Sequence, residues 1–317
     1  MSTGKNIIAL GRSRYMYDSI VYLASKGFSF KAIITEQAYE EYDVKEEDFK
    51  LLAEKLGVPF FLTRTLNTPE LIEVVKTQNV RAAISANWRV MIPDSFIDLF
   101  ECGILNFHLG SLPDYKGNAV VNWTIIDGED HINGSIHKLT YEMDAGDIIA
   151  TKRIPINDDT YIAEILRQGA LDAPVLYEQA LEKLFIDPNA CEIKGTVRGI
   201  HCYPRLPEDS QINWRAHTED VGKLVRASSK PFSGAFSYLK NEKIIIWKAR
   251  PIIPEDKILA MPGHVIKIRK DSKTVLVACG FGFLEVQEIE YKGQIMSPTD
   301  FIKSIRLRFK YLENAGN

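Results

Sequence analysis

The sequence predicts an α/β protein, an open, mainly parallel sheet covered on both faces, followed by a smaller antiparallel barrel. Three observations predict it. Apolar strand-like runs alternate with helix-like segments through residues 6–108. Past Trp214 the pattern changes to five short strands punctuated by Gly and charged turns. A linker-like stretch, bracketed by Asp187-Pro188-Asn189 and Cys202-Tyr203-Pro204-Arg205-Leu206-Pro207, separates the two patterns.

The elements follow in order. Asn6 to Gly11 is an apolar run ending in Gly, and Tyr17 to Lys26 is a helix stopped by Gly27. Phe30 to Thr35 reads as the second strand. Residues 45–56 place Phe49, Leu52 and Leu56 on one helical face before a capping Gly57. Pro59 to Leu62 is a strand, Pro69 to Gln78 a helix, and Val80 to Ala86 another strand. A short helix led by Pro93 precedes the strand 103–108, and residues 134–142 alternate as a further strand. Residues 158–185 read as a helical stretch interrupted by Gly169 and Pro174. A helix near 217–228 introduces the strands near 234–239, 243–249, 263–269, 273–279 and 283–289, which suit a barrel of the OB type. Residues 303–310, with Lys303, Arg306, Arg308 and Lys310, read first as one face of a terminal helix. Bridging, dimerising and second nucleotide-binding roles stay open for these cations and for Lys240, Lys243, Lys248 and Arg250.

Composition bounds the function. A chain of 317 residues is comfortable for two domains, expected at 1–204 and 205–317. The 45% hydrophobic and 26% charged content is that of a soluble globular protein. No apolar run approaches the roughly 20 residues that span a bilayer. The start, Met1 to Asn6, leads into a strand without a signal-peptide core, so a cytoplasmic location and no membrane partner are expected. Cys102, Cys191, Cys202 and Cys279 form no CxxC pair, which predicts free thiols and no zinc site. A net charge of −3 gives no support for nucleic-acid binding. The first turn, Gly11-Arg12-Ser13-Arg14-Tyr15, lacks GxGxxG, which disfavours NAD and FAD; a P-loop is also missing.

The chemistry concentrates in residues 103–147. Asn106 and His108 are two apart on a strand, so their side chains share a face. They stand at its C-terminal end, where open α/β sheets place ligands. Such a triplet arises by chance, and a histidine among apolar residues is commonly a packed core residue. The surroundings change that reading. NFHLGSLPDYKG, the helix NAVVNWTIIDGE and EMDAGDII resemble the formyltransferases that use 10-formyl-tetrahydrofolate, with a Rossmann-like core. These act on methionyl-tRNA, glycinamide ribonucleotide or nucleotide sugars. The resemblance extends to Ile212-Asn213-Trp214 and to residues 226–236, similar to the C-terminal domain shared by the tRNA enzymes and some sugar enzymes.

The resemblance implies that Asn106, His108 and Asp144 are catalytic. Asn106 donates to the oxygen that turns negative, His108 takes a proton, and Asp144 orients the imidazole or relays the proton. The formyl donor is a co-substrate and no metal is needed; His131, His137, His201, His217 and His264 read as surface or structural. The folate contacts are expected at Trp88, Arg89, Met91, Ile92 and Leu139, with Asp147 supporting the Asp144 loop. Trp88 and Met91 are equally readable as core, and Asp147 as a turn cap.

For the amine, a nucleotide-linked amino dideoxysugar is favoured over initiator tRNA, and over water in a hydrolase. The stretch 36–50, where the tRNA enzymes carry a basic insertion, holds seven acids and two lysines. Its acids also read as a solvated loop and helix start. Tyr115, Lys116, Gly117 and Asn118 are expected at the second substrate, with Lys116 as a point charge for a diphosphate. Arg12 is expected near the same substrate, although loop arginines are usually solvated. The implied partner is a small molecule, with no nucleic acid, and the assembly a possible homodimer.

Overall fold

The computed structural model describes residues 4–38, 40, 42–255 and 258–311. The start of the chain, and Tyr39 and Glu41 of the acidic stretch, lie outside the described residues. The chain divides into two compact units. The first takes residues up to Val120, Ile132–Pro155 and Leu166–Cys202; the second takes Val121–His131, Ile156–Ile165 and the chain from Tyr203.

In the first unit the order is β1 (Asn6–Gly11), α1 (Ser13–Ser25), β2 (Ser29–Thr35), α2 (Glu46–Leu56), β3 (Phe60–Leu62), α3 (Pro69–Thr77), β4 (Ala82–Ala86), α4 (Asp94–Ile97), β5 (Ile104–Leu109) and β6 (Tyr115–Gly117). After α5 (Val120–Asp127) come β7 (His131–Lys138), β8 (Ile148–Pro155), α6 (Ile162–Ile186) and β9 (Ile200–Cys202). The sheet runs β3-β2-β1-β4-β5-β7-β8, parallel as far as β5 and antiparallel where β7 joins it. This is the expected Rossmann-like arrangement. Local chemistry sets the boundaries: Gly57 turns left-handed at φ 68° after α2, and Thr68 caps α3 ahead of a proline in its first turn.

Alternation along the strands divides the core between two faces. Ile7, Ala9, Ile33, Ile84, Leu105 and Phe107 meet α1, α2 and α6, while Ile8, Leu10, Ile34, Ala83 and Ile104 meet α3 and α4. Asn106 and His108 share the second face, because they lie two and four residues beyond Ile104.

Two expectations are corrected here. Residues 139–142 do not continue β7, which ends at Lys138; Leu139 N instead donates to the Ile104 carbonyl and the chain turns back. Gly169 and Pro174 do not interrupt α6. Burial of Ala173, Leu176, Tyr177, Ala180, Leu181 and Leu184 holds the helix through them. Gly169 serves packing, since a Cβ there would lie 2.9 Å from Leu109 Cδ2. Three strands escaped the sequence reading: the eight-residue β8, and the short parallel pair β6–β9.

The second unit is built from α7 (Thr218–Ser228), β10 (Ala235–Leu239), β11 (Glu242–Ile252), β12 (Val265–Arg269), β13 (Thr274–Ala278), β14 (Phe283–Tyr291), β15 (Gln294–Met296), α8 (Pro298–Phe301) and β16 (Phe309–Lys310). The antiparallel sheet β12-β13-β14-β11-β10-β16 curls until a bridge between His264 and Arg308 joins its edges, the expected OB-like form. Segments 121–131 and 156–165 belong here by their bonds. Asn122 donates to the Ala227 carbonyl (2.8 Å), and Arg226 to the carbonyls of Asn157 and Thr160 (3.0 and 2.9 Å).

The expected terminal helix over 303–310 is absent. Phe309 is buried and Lys310 exposed, an alternation of period two that suits a strand, and the pair closes on β10. A cavity of about 530 Å³ opens beside this strand, with Arg215, Arg308 and Lys310 on its lining and no carboxylate among the described lining residues. All four cysteines are free, as expected, and no helix among the described residues is long and apolar enough to cross a membrane.

Candidate active site

The site grows from β5. Its neighbour β7 runs antiparallel, with His137 opposite Asn106 and Ser135 opposite His108, so all four side chains share a face. Asn106 Nδ2 lies 3.1 Å from His137 Nε2, and His137 Nδ1 lies 3.1 Å from the Lys138 carbonyl. A carbonyl only accepts, so the network assigns the proton of His137 to Nδ1 and leaves Nε2 to accept from Asn106. One amide hydrogen of Asn106 is thereby fixed and the other is turned elsewhere. His137 is fully buried, which pushes its pKa down to about 4 against the opposing pull of the Asp144 carboxylate.

Asp144 reaches this face on the segment that folds back after β7. Its φ is +52°, a left-handed conformation that Asp tolerates better than most residues. Two bonds from β6 hold it: Lys116 Nζ donates to its carbonyl (2.9 Å) and Gly117 N to Oδ2 (2.8 Å). Gly146 lets the segment return, because a Cβ there would sit 1.8 Å from the Lys138 carbonyl oxygen. Asp144 Oδ2 lies 3.6 Å from His108 Nδ1, and Oδ1 lies 3.6 Å from His137 Nε2. His108 Nε2 faces the Tyr115 carbonyl at 3.2 Å. Gly110 makes room for the ring, since a Cβ would come within 2.3 Å of Nε2. The arrangement offers an amide donor, an imidazole and a carboxylate on one small patch. That set can polarise a carbonyl and accept a proton from a nucleophile that adds to it.

The "Formyl transferase" family model matches residues 15–181, and the "Formyl transferase, C-terminal domain" model matches residues 205–306. The chain belongs to the formyl transferase family. Solved structures share its fold at low identity. A Helicobacter canadensis N-formyltransferase, solved with folinic acid and dTDP-3-aminofucose, has a TM-score of 0.65 at 15% identity, covering 90% of this chain and 99% of its own. WlaRD, a sugar 3N-formyl transferase solved in the presence of dTDP and 5-N-formyl-THF, scores 0.64 at 14%, covering 91% and 98%. HypX from Aquifex aeolicus, in complex with tetrahydrofolic acid, scores 0.59 at 17% identity; 93% of this chain matches 46% of that one. The chain thus spans about half the length of the HypX structures.

Within this chain the other expected contacts divide. Trp88 and Leu139 pack against the apolar cluster on the face that bears the trio, and Ile92 is part of that cluster. Trp88 Nε1 is buried without a partner. Met91 is 57% exposed. Arg89, exposed at the surface, turns part of its guanidinium to Glu36: its Nε donates to Glu36 Oε2 (2.8 Å) and its backbone N to Glu36 Oε1 (3.1 Å). Asp147 accepts from Lys194 Nζ (2.8 Å) and Gly195 N (3.0 Å), which hold its carboxyl below the usual range and make it a tie to 194–195.

On the substrate side, Tyr115 is buried and turns its carbonyl to His108, Gly117 serves Asp144, and Asn118 is exposed with its N–H on the Cys202 carbonyl (2.9 Å). Lys116, expected as a point charge for a diphosphate, is 1% exposed and bonded to the Asp144 carbonyl, so it braces the loop instead. Burial pushes its pKa down, against Asp144 and Asp114. Arg12, expected near the same substrate, is also internal. It is 3% exposed and donates to the carbonyls of Asn87 (2.8 Å) and Gln37 (3.4 Å).

Five acids of the acidic stretch have partners in the described structure. Glu36 holds arginines, Asp43 pairs with Arg14 (2.7 Å), Glu46 accepts from Ala38 N, Glu47 pairs with Lys50, and Asp48 accepts from Lys45 N.

His137, which sequence reasoning left among surface or structural histidines, is buried beneath the trio and bonded to Asn106. Its even spacing behind Ser135 on a strand is the one signal that could have placed it on the face of Asn106.

Proposed function

We propose that this chain transfers a formyl group from 10-formyl-tetrahydrofolate to the amino group of a nucleotide-linked amino dideoxysugar. The carrying observation is the convergence of Asn106, His108 and Asp144. The folate supplies an activated formyl group. The free amide hydrogen of Asn106 donates to the formyl oxygen as it becomes negative, a role worth about 3–4 kcal/mol where comparable donors have been removed. At rest His108 Nε2 donates to the Tyr115 carbonyl, with Nδ1 3.6 Å from Asp144. An incoming amine displaces that bond, the ring proton moves to Nδ1 on the side of Asp144, and Nε2 acts as the base. The amine nitrogen bonds to the formyl carbon and loses its proton to His108. The bond from that carbon to folate N10 breaks, and the proton passes to N10, leaving a formamide and tetrahydrofolate.

Two features fit a heteroaromatic donor beside the trio. The buried indole N–H of Trp88 lacks an acceptor, and exposed Met91, Tyr141 and Met143 lie on the two segments that frame this face. For the acceptor, the sugar reading draws on the net charge of −3 and on the ligands named for the Helicobacter canadensis enzyme. The two-domain division at about residue 204, a cytoplasmic setting and a homodimer belong to the same proposal.

The test is incubation with 10-formyl-tetrahydrofolate and a panel of nucleotide-linked 3-amino and 4-amino dideoxysugars, beside charged initiator tRNA. Formylation of a sugar is expected. Formylation of the tRNA alone, or release of formate without any acceptor, overturns the sugar assignment.

A further inference from the structure

A second buried carboxylate lies outside the trio, at the opposite flank of β4. Glu36 follows the last residue of β2 and is 2% exposed. Its Oε2 accepts from Arg64 Nε (2.9 Å) and Arg89 Nε (2.8 Å); its Oε1 accepts from Arg89 N (3.1 Å) and lies 3.7 Å from Arg12 Nε. These residues follow the C-terminal ends of β1, β2, β3 and β4, so one side chain ties four strand ends together. The tie continues on the β4 side. Arg12 Nε donates to the Asn87 carbonyl, Arg12 N to the Ala86 carbonyl (3.2 Å), and Asn87 Nδ2 to Ser13 Oγ (2.7 Å). Asn87 and Ser13 both sit at positive φ, 54° and 75°, conformations that need outside support.

We infer that Glu36 is a positioning residue, a latch that fixes the segment 87–92 in the shape that receives the formyl donor. The inference rests on the proposed use of that segment by the folate. Its logic is electrostatic. A loop segment without secondary structure is ordinarily among the more mobile parts of a domain. Here its direction is set by a charge-assisted backbone bond at Arg89 N and by a buried guanidinium at the Asn87 carbonyl. Charge-assisted bonds of this kind are the stronger class. Glu36 also supplies the countercharge that allows Arg12 to be buried at all. The carboxylate touches neither reacting group, so its loss acts on donor affinity rather than on the chemical step.

Two measurements on the full chain test this, with Glu36→Gln and Glu36→Asp beside the wild type. The first is hydrogen exchange of the 87–92 amides without any ligand. Exchange there is expected to rise by about tenfold or more in Glu36→Gln, in keeping with the loss of a charge-assisted bond, while the β5 amides stay protected. Glu36→Asp keeps the charge on a shorter arm, survives if Glu36→Gln does not fold, and is expected to show the same change to a smaller extent. The second is steady-state kinetics. KM for 10-formyl-tetrahydrofolate should rise about tenfold, with kcat within about threefold and the KM of the amine unchanged.

A merely structural role would lower the active fraction, and so kcat, without this split. Unchanged exchange at 87–92 in a folded variant, or a kcat loss without a donor KM change, overturns the latch. If the wild type moves no formyl group at all, the functional proposal fails and the exchange measurement alone decides the latch.

Discussion

Glu36 and Asp144 are two carboxylates of the same unit, both placed just beyond sheet strands, and they are treated in opposite ways. Glu36 faces three guanidiniums, with its bonds at 2.8–3.1 Å and Arg12 at 3.7 Å. Asp144 has one firm bond, from Gly117 N, and faces two imidazoles at 3.6 Å each. A saturated carboxylate surrounded by permanent charges can only hold its neighbours still. A carboxylate beside groups that gain and lose protons, at distances that leave room to tighten, suits chemistry. The contrast sets a fastening against the proposed working site, and mutations should separate them.

The largest effect is expected at the working site. His108→Ala should lower formyl transfer by about 10²–10⁴-fold, the range of a lost general base, with the unfolding midpoint in urea unmoved. Activity near wild type would remove His108 from the mechanism. The fastening should answer in the opposite currency. Glu36→Ala takes the countercharge from buried Arg12, while Arg89 and Arg64, 25% and 56% exposed, turn to water. The loss is therefore expected near the lower end of the buried-pair range, about 3 kcal/mol by equilibrium unfolding. A loss under about 1 kcal/mol would mean that water screens the cluster and that the saturation is superficial. Asn106→Ala comes next, at about 10²–10³-fold in kcat, as for other single oxyanion donors.

The sequence made the working site far more legible than the fastening. The period of two put Asn106 and His108 on one face, and the surrounding motifs, by their resemblance to the formyltransferases, marked them and Asp144 as candidates. The strand bounds of the barrel were close for the same reason: Gly and charged turns punctuate alternating runs. What stayed hidden was set by contacts distant in sequence. Glu36 looked like one acid among seven, because its three arginines lie 24, 28 and 53 residues away. Lys116 and Arg12 looked like surface cations for the same reason, since nothing local tells a buried carbonyl partner from solvent. The terminal segment was misread because spaced cations suggest a helical face, whereas burial of Phe309 against the barrel chose the strand.

His137 offers a sharper test, because it couples the site to pH. Burial holds its ring neutral, and the groups facing it are Asp144, His108 and Lys116. Its pKa lies at about 4 in the folded chain, against an ordinary value of 6.5. Between those values, as pH falls, the unfolded chain takes up a proton that the folded one refuses. Stability is therefore whole above about pH 6.5 and declines toward pH 4 by a total on the order of 3 kcal/mol. Urea unfolding of wild type and His137→Gln at pH 7.5 and 4.5 isolates this contribution, and the variant should lose less on acidification. Protonation also puts a hydrogen on Nε2 against the Asn106 amide, so formyl transfer should fall with stability on the acid side. Equal acid losses in both proteins would show that His137 is not held neutral.

The smallest effect is expected at Asp147, which lies between the two types. It shares a segment with Asp144, yet its partners are Lys194, whose side chain is 77% exposed, and the Gly195 amide. An amide in its place keeps an acceptor for Gly195 N and loses only an exposed ion pair, an interaction that is usually weak. Asp147→Asn should therefore leave kcat and both KM values within about threefold, while 0.5 M salt should change the wild type as little as the variant. A drop beyond tenfold in kcat alone would place Asp147 with Asp144 at the reacting groups. A rise in donor KM alone would place it with Glu36 among the fastenings, and either result redraws the line between them.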